Sequence, residues 1–391
     1  MAEDKASLFS DIACPDAPGQ KPSHSKTARA QRPKGLDLFA GAGGFSLGAI
    51  EAGIDIVGAL EIQKNAASTY EANIRNADGT LVDLIRDDIL DITPQSAMKR
   101  WGIGAGEIDI VMGGPPCQGF SSHRINDAGV DDPRNKLLGR YFEYVEAIRP
   151  RVFIVENVPG LLWDRHAAYL KAFYKRGKEA DYDLRPAETI NARDFGVPQN
   201  RRRVFILGID KRRPLDWAWP PTPTHVSPTT LEPERQGRES WRTSEEVFRP
   251  AAANDPNDMH MQHSAALVEL FKKTPHNGGS RSQSGRVLEC HKDYNGHSDV
   301  YGRIDPKRPG PTMTTACINP SKGRFVHPTE DHGITLRQAA RLQTFPEKFV
   351  FQGGLMSGGE QIGNAVPMDL AVALLRPFVQ ALAASEGSTS D

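Results

Sequence analysis

From residue 34 to residue 208 the sequence alternates short apolar runs with longer helix-like segments, and this alternation limits the possible folds more than any other feature. The apolar runs are 35–39, 54–60, 108–112, 152–155 and 204–207; helix-forming stretches lie at 63–73, 135–148 and 161–175. Two parallel strands need a crossover between them, and a helix supplies it while covering one face of the sheet. The expectation is an α/β fold: a mostly parallel sheet with helices on both faces.

The alternation stops after Gly208. Residues 209–334 are rich in Pro, Thr, Ser, Arg and His and hold Trp217, Trp219 and Trp241, and the stretch NGGSRSQSGR at 277–286 reads as a flexible loop. Regular structure resumes at Thr335, a good N-cap for a helix to about Leu342, and 368–383 reads as a further helix. The expected organisation is a polar, disordered tail at 1–33, a domain made of 34–208 and 335–385, and a smaller irregular domain at 209–334. The first twenty residues carry Glu3 and Asp4 and no long apolar segment, which does not suit a signal peptide. No apolar run approaches the roughly 18 residues that span a bilayer, so no membrane association is expected.

Cys14, Cys117, Cys290 and Cys317 form no Cys-x-x-Cys pair, so the sequence suggests neither a disulfide framework nor a zinc site; a reducing, cytoplasmic setting and no metal are expected. The formal net charge of −1 does not by itself announce a nucleic-acid binder. Its distribution is uneven: 272–324 holds ten Lys/Arg against four Asp/Glu, and 201–203 and 211–213 are two runs of basic residues. Such patches neutralise phosphates or simply face water, and composition leaves both open.

Four motifs carry chemistry. DLFAGAGGFSLG at 37–48 ends one apolar run and turns tightly into a helix, bringing backbone N–H groups close to any ligand. Glu61 follows twenty residues after Gly41, where a carboxylate accepts hydrogen bonds from ribose hydroxyls. The glycine spacing is not Gly-x-Gly-x-x-Gly, so an adenosine-bearing cofactor fits better than a dinucleotide; a tight turn without a ligand is the simpler alternative. Asp88 stands near the end of a third strand, where it would reach an adenine amino group or remain a surface acid. GGPPCQGFS at 113–121 puts Cys117 in a Pro-stiffened loop after a strand, which favours an exposed nucleophile over a packed thiol. VENVPG at 155–160 places Glu156 at another strand end, and in QNRRRVFILG at 199–208 the residues Gln199, Arg201 and Arg203 alternate onto one strand face, presenting donors to an oxygen-rich ligand or to solvent.

Taken in order with RQAARLQTFP at 337–346 and GNAVP at 363–367, these motifs closely resemble the DNA cytosine-5 methyltransferases of bacterial restriction–modification systems, over about residues 35–385. The resemblance implies a Rossmann-like S-adenosylmethionine-dependent methyltransferase fold with 209–334 as target-recognition domain. It implies transfer of a methyl group from S-adenosyl-L-methionine to C5 of a cytosine flipped out of duplex DNA. Cys117 would attack C6, Glu156 would hold N3 and the exocyclic amine, and Arg203, aided by Arg201, would hold O2. Phe39, Ala40, Gly41, Ala42, Gly43, Gly44, Phe45, Glu61, Ile62, Asp88, Ile89, Pro115 and Asn364 would form the cofactor site. Gln118, Ser121, Arg281 and Arg286 would contact DNA. The expected setting is a monomer acting on double-stranded DNA in a bacterial cytoplasm, close to the nucleoid, with any cognate endonuclease acting separately. One departure is Gln338, where the family usually has Glu; it should alter a local helix contact and not the chemistry.

Three other readings explain less. An RNA cytosine-5 methyltransferase shares the Cys117 and Glu156 motifs, but the compact transfer-RNA enzymes carry a Cys-Phe-Thr signature that is missing between Gly208 and Ile334. A decayed, non-catalytic scaffold should have gaps in the motif set, and Cys117, Glu156, Arg203 and Asn364 are all present. A nicotinamide dehydrogenase would account for the glycine loop and Glu61 but not for PPCQGFS or QNRRR.

Overall fold

The computed structural model describes residues 32–116, 136–285 and 299–387. Eight strands share one sheet: β1 (Lys34–Leu38), β2 (Asp55–Leu60), β3 (Asp83–Ile85), β4 (Ile110–Gly113), β5 (Val152–Asn157), β6 (Tyr182–Leu184), β7 (Glu188–Asn191) and β8 (Arg202–Asp210). The order is β3-β2-β1-β4-β5-β8-β6, with β7 also paired to β8. The first five strands are mutually parallel; β8 runs antiparallel to β5, and β6 and β7 run antiparallel to β8.

The central strands are buried on both faces, which is why they read as continuous apolar runs and not as polar–apolar alternations. Successive side chains enter different cores. Ile110, Met112, Val152, Ile154, Phe205 and Leu207 join the larger core with Phe45, Ala49 and Tyr70. Val111, Phe153, Val155, Val204 and Ile206 join the smaller one with Trp101, Phe142 and Phe173. The crossover helices α1 (Gly44–Ala52) and α2 (Lys64–Asn73) thus face one core, and α3 (Pro94–Trp101), α4 (Lys136–Ile148) and α5 (Ala167–Glu179) the other. α3 has a complete set of boundary signals: the Thr93 side chain accepts from Ser96 N, Pro94 opens the helix, and Gly102 closes it in the left-handed region.

Beyond β8 the described residues up to 334 hold one helix, α6 (Ala265–Lys273), the two-residue strands β9 (His225–Val226) and β10 (Glu239–Ser240), and short 3₁₀ turns. The chain then returns through α7 (Leu336–Leu342), α8 (Gly354–Asn364) and α9 (Met368–Gly387). Thr335 caps α7 in a reciprocal box with Gln338: the Gln338 N–H donates to Thr335 Oγ1, and Gln338 Oε1 accepts from Thr335 N. This corrects the expectation that Gln338 alters a local helix contact: a glutamate oxygen at this position would accept from Thr335 N in the same way, so the contact is kept.

α9 packs along α1. A Cβ at Gly48 would lie 2.4 Å from the Ala371 Cβ, so the two helices meet almost backbone to backbone. α8 and α9, parted by Ala365, Val366 and Pro367, together make a stretch at 354–386 with the length and apolarity of a membrane span. Half of its apolar window is buried, with Leu370, Leu374, Leu375 and Phe378 at 0% exposure, and it belongs to the core.

Other differences have local causes. The helix read at 161–175 starts only at Ala167, because two 3₁₀ turns, Pro159–Leu162 and Asp164–His166, precede it around Pro159. Arg32 and Pro33 of the expected tail are tied to the fold: Arg32 Nε pairs with Asp55 at 2.8 Å, and the Pro33 carbonyl accepts from Asp55 N. Residues 1–31 lie outside the described residues.

Candidate active site

Parallel strands bring their C-terminal ends to one edge, and antiparallel β8 begins at that same edge. The strand order reverses between β1 and β4, so a crevice opens there. The glycine loop leaves β1 on one side of it, and the Gly114-Pro115-Pro116 segment leaves β4 on the other.

Asp37, a lone acid inside β1, builds the glycine loop from beneath. Its Oδ2 accepts from Ser46 N at 3.1 Å and from Ser46 Oγ at 2.6 Å, and Ser46 Oγ meets the Tyr70 hydroxyl at 2.8 Å. Burial pushes the Asp37 carboxyl up to about 7, against the opposing hydrogen bonds from Ser46. Above it the backbone turns through left-handed positions at Phe39 (φ 63°), Gly41 (φ 56°) and Gly43 (φ 93°). Gly43 has no room for a side chain, since a Cβ would stand 2.7 Å from Ile74. At Gly41 a Cβ would meet nothing within 4 Å, which marks open space over the loop.

Glu61 closes the site from the end of β2. Its Oε2 accepts from Gly41 N at 2.8 Å and its Oε1 from Gln63 N at 2.7 Å, and burial raises its carboxyl above the usual range. Beside it Ile62 is 58% exposed, an apolar surface at the crevice edge. Asp88 is half-buried, its Oδ1 accepting from Leu90 N. Asn364 is exposed at the end of α8. A Cβ at Gly44 would lie 3.2 Å from the Ala365 Cβ. With consecutive Cα atoms 3.8 Å apart, Asn364 therefore stands within about 14 Å of Gly43.

Some expected cofactor residues lie behind this surface and not on it. Ala42 and Ile89 are 1% and 2% exposed, and the Ile89 carbonyl accepts from Arg140 Nε. Ala40, Gly43, Gly44, Phe45 and Pro115 are buried too and shape the loops from within. Phe39, Gly41, Ile62, Asp88 and Asn364 keep accessible surface. Two donors of the loop and first helical turn, Gly41 N and Ser46 N, are taken by carboxylates.

The second half of the site is a carboxylate–guanidinium pair. Glu156, next to the last residue of β5, lies opposite Phe205 of β8, and Arg203, two residues earlier on β8, shares that face. Arg203 Nε lies 2.8 Å from Glu156 Oε1, with the side chains 14% and 10% exposed. A Cβ at Gly114 would sit 3.2 Å from Glu156 Oε2, so the segment leaving β4 passes directly over the carboxylate.

Arg201 and Gln199 correct the expectation of three donors turned to a ligand. Arg201 is fully buried, with Nη1 donating to the Met313 carbonyl and Nη2 to those of Gly363 and Ala365, each at 2.9 Å. Gln199 is fully buried against Leu342, Gln343 and Met313. Both side chains brace the wall behind Arg203. Arg281 is corrected too: it is 7% exposed, within the 3₁₀ turn Arg281–Ser284, and does not present its guanidinium to a phosphate. Cys117, Gln118, Ser121 and Arg286 lie outside the described residues. Sequence reasoning missed Asp37, Ser46, Tyr70 and Gln343; the one available signal was a charged residue within the apolar run KGLDL.

The fold and site define an α/β protein with a crevice at the glycine loop beside a Glu–Arg pair. The chain belongs to the C-5 cytosine-specific DNA methylase family, whose model matches residues 34–380. It is a DNA cytosine-5 methyltransferase. It is 32% identical over 381 residues to the Type II methyltransferase M.XorII of Xanthomonas oryzae pv. oryzae, covering 90% of this chain and 85% of the relative. It is 31% identical to M.DdeI of Desulfomicrobium norvegicum, covering 87% and 86%. Among solved structures, a prophage-encoded E. coli chain described as a DNA modification methyltransferase superposes with a TM-score of 0.66 at 24% identity, covering 90% and 99%. Spodoptera frugiperda DNMT2 superposes with a TM-score of 0.55 at 16% identity, covering 88% and 99%. These two share the fold.

Proposed function

We propose that this chain methylates C5 of a cytosine flipped out of a specific duplex DNA sequence, through a covalent adduct between Cys117 and C6. The observation that carries the reading is the Arg203–Glu156 contact at 2.8 Å, beneath the segment that leads to Cys117. Cys117 is three residues past Gly114, so at most about 11 Å of chain separates the two.

C5 of a neutral cytosine is a poor nucleophile. Attack by the Cys117 thiolate forms an S–C6 bond and moves the C5–C6 π electrons toward C5, making an enamine. Charge then gathers on N3 and O2. Glu156 shares a proton with N3 and accepts from the exocyclic amine, while Arg203, fixed by Glu156 Oε1, donates to O2. S-adenosylmethionine, when bound, supplies the electrophilic methyl group that C5 takes. Transfer of the C5 proton to a base, a role that a water molecule can fill, and departure of the thiolate restore the aromatic ring. The ring has to leave the base stack to reach these groups, so flipping is part of the reaction.

The cofactor fits the residues present: open space at Gly41, the exposed apolar face of Ile62 and the Glu61 carboxylate. Glu61 would orient the ribose and Asp88 the adenine, with Asn364 at the far wall. The physiological role we infer is protection of host DNA in a restriction–modification system, with the endonuclease as a separate protein and this chain acting as a monomer.

Bisulfite sequencing of plasmid from cells expressing the protein tests the reading. One short sequence context should be methylated at C5, and Glu156→Gln should lower the rate on that sequence by roughly 10² in a tritiated-methyl assay. Unmethylated plasmid from cells holding folded protein would refute it.

A further inference from the structure

The buried side chains behind Arg203 close a ring that joins four segments of the chain. Gln199 Oε1 accepts from Met313 N at 2.8 Å, and Gln199 Nε2 donates to Gln343 Oε1 at 2.8 Å and to the Leu342 carbonyl at 2.9 Å. Gln343 Nε2 donates to the carbonyls of Ile362 at 2.6 Å and Ala365 at 3.0 Å. Arg201 then spans from Gly363 and Ala365 back to the Met313 carbonyl. All three side chains are 0% exposed.

Each segment leads to a different part of the site. Residues 199–201 enter β8 and reach Arg203 two residues later. Residues 362–365 flank Asn364 on the cofactor wall. Met313 belongs to the irregular region between β8 and α7, and 342–343 end α7. The contact is also backbone on backbone, because a Cβ at Gly363 would lie 2.3 Å from Thr314 C and from Thr315 N.

The ring is not arranged for stability alone. A buried guanidinium loses its hydration, and Arg201 Nε has no acceptor among the described residues. What the ring does supply is rigidity. Its bonds to Arg201 are charge-assisted, so 363–365 cannot shift without either breaking them or carrying Met313 along.

We propose that Gln199, Arg201 and Gln343 are positioning residues that couple the cofactor wall to the target-recognition region, so that cofactor and duplex strengthen each other's binding. The proposal rests on the function argued above. Ordering 363–365 around a cofactor restrains Met313–Thr315 in advance, and the duplex then meets a region with less left to order.

The test is calorimetry with S-adenosylhomocysteine, with and without a duplex carrying the sequence found by bisulfite analysis. In the wild type the duplex should tighten S-adenosylhomocysteine binding by about fivefold or more, the lower end of typical coupling. In Gln343→Met that factor should fall below about twofold, while the affinity for each ligand alone stays within about threefold of wild type. A purely structural role would weaken the separate affinities together and leave the factor unchanged. Binding of both ligands without mutual effect in the wild type, or a factor unchanged in Gln343→Met, overturns the coupling alone; failure to bind either ligand overturns the function as well. Hydrogen exchange on the wild type needs no variant to fold. S-adenosylhomocysteine alone should slow exchange across 313–318, and unchanged exchange there contradicts the proposal.

Discussion

Asp37 sits at the base of the glycine loop with its pKa raised to about 7 by burial, while its unfolded value is 3.8. Below pH 4 both states hold the proton and the native state has the full benefit. As pH rises from 4 to 7 the unfolded chain ionises first, and stability falls by on the order of 4 kcal/mol at most. Asp37→Asn keeps an acceptor for Ser46 and removes the titration. Its melting temperature relative to wild type should therefore climb between pH 5 and pH 8; parallel profiles would contradict the account. Glu156 and Arg203 were legible in the sequence because each lies in a motif whose order and spacing match a family. Arg201 was not, since alternation on a strand fixes the face a side chain leaves from and not what it meets there. Ala42 and Ile89 show the same limit: a motif names the loop, and burial decides which members reach the surface.

At the scale of elements, the strands were legible because their apolar runs are buried on both faces. α8 was not, because Gly358, Gly359 and Gly363 are poor helix formers. Close packing explains them: a Cβ at Gly358 would stand 2.5 Å from Leu336, and at Gly359 2.4 Å from Ile318. Gly363 has the tightest demand, with two backbone atoms 2.3 Å from the site of a Cβ. Gly363→Ala should cost about 1–3 kcal/mol of stability by overpacking, and the shift of α8 should weaken S-adenosylhomocysteine binding at Asn364. Denaturant titration and calorimetry measure both; an unchanged midpoint with unchanged affinity would show that the segment yields freely.

At the scale of the whole molecule, buried arginines hold the irregular region between β8 and α7. Arg337 pairs with Asp255 at 2.6 Å and donates to the Phe349 and Pro346 carbonyls. Arg341 reaches the carbonyls of Val247, Arg249 and Pro250. Arg303, fully buried, gathers Phe271, Thr274, His327, Glu330 and Asp331. A region built on long-range arginine contacts has no periodicity to read, which is why the sequence showed only its composition. Some basic residues in it that looked like a DNA face, Arg281 and Arg303, are interior. Arg337→Met should destabilise the fold by about 3–5 kcal/mol, because it leaves the Asp255 charge buried and unpaired. A loss below about 1 kcal/mol in urea titration would mean that solvent reaches Asp255 and replaces the pair.

The central claim is that Cys117 forms a covalent bond to the target cytosine in the pocket made by Glu156 and Arg203. A duplex carrying 5-fluorocytosine at the methylated position tests it most directly, because fluorine cannot leave C5 as a proton does and the adduct stays closed. On a denaturing gel with S-adenosylmethionine present, wild type should give a shifted protein–DNA band. Cys117→Ser should give none, since a serine hydroxyl offers almost no anionic nucleophile near neutral pH. No band from wild type on a sequence it demonstrably methylates, or a band that survives in Cys117→Ser, would contradict the account.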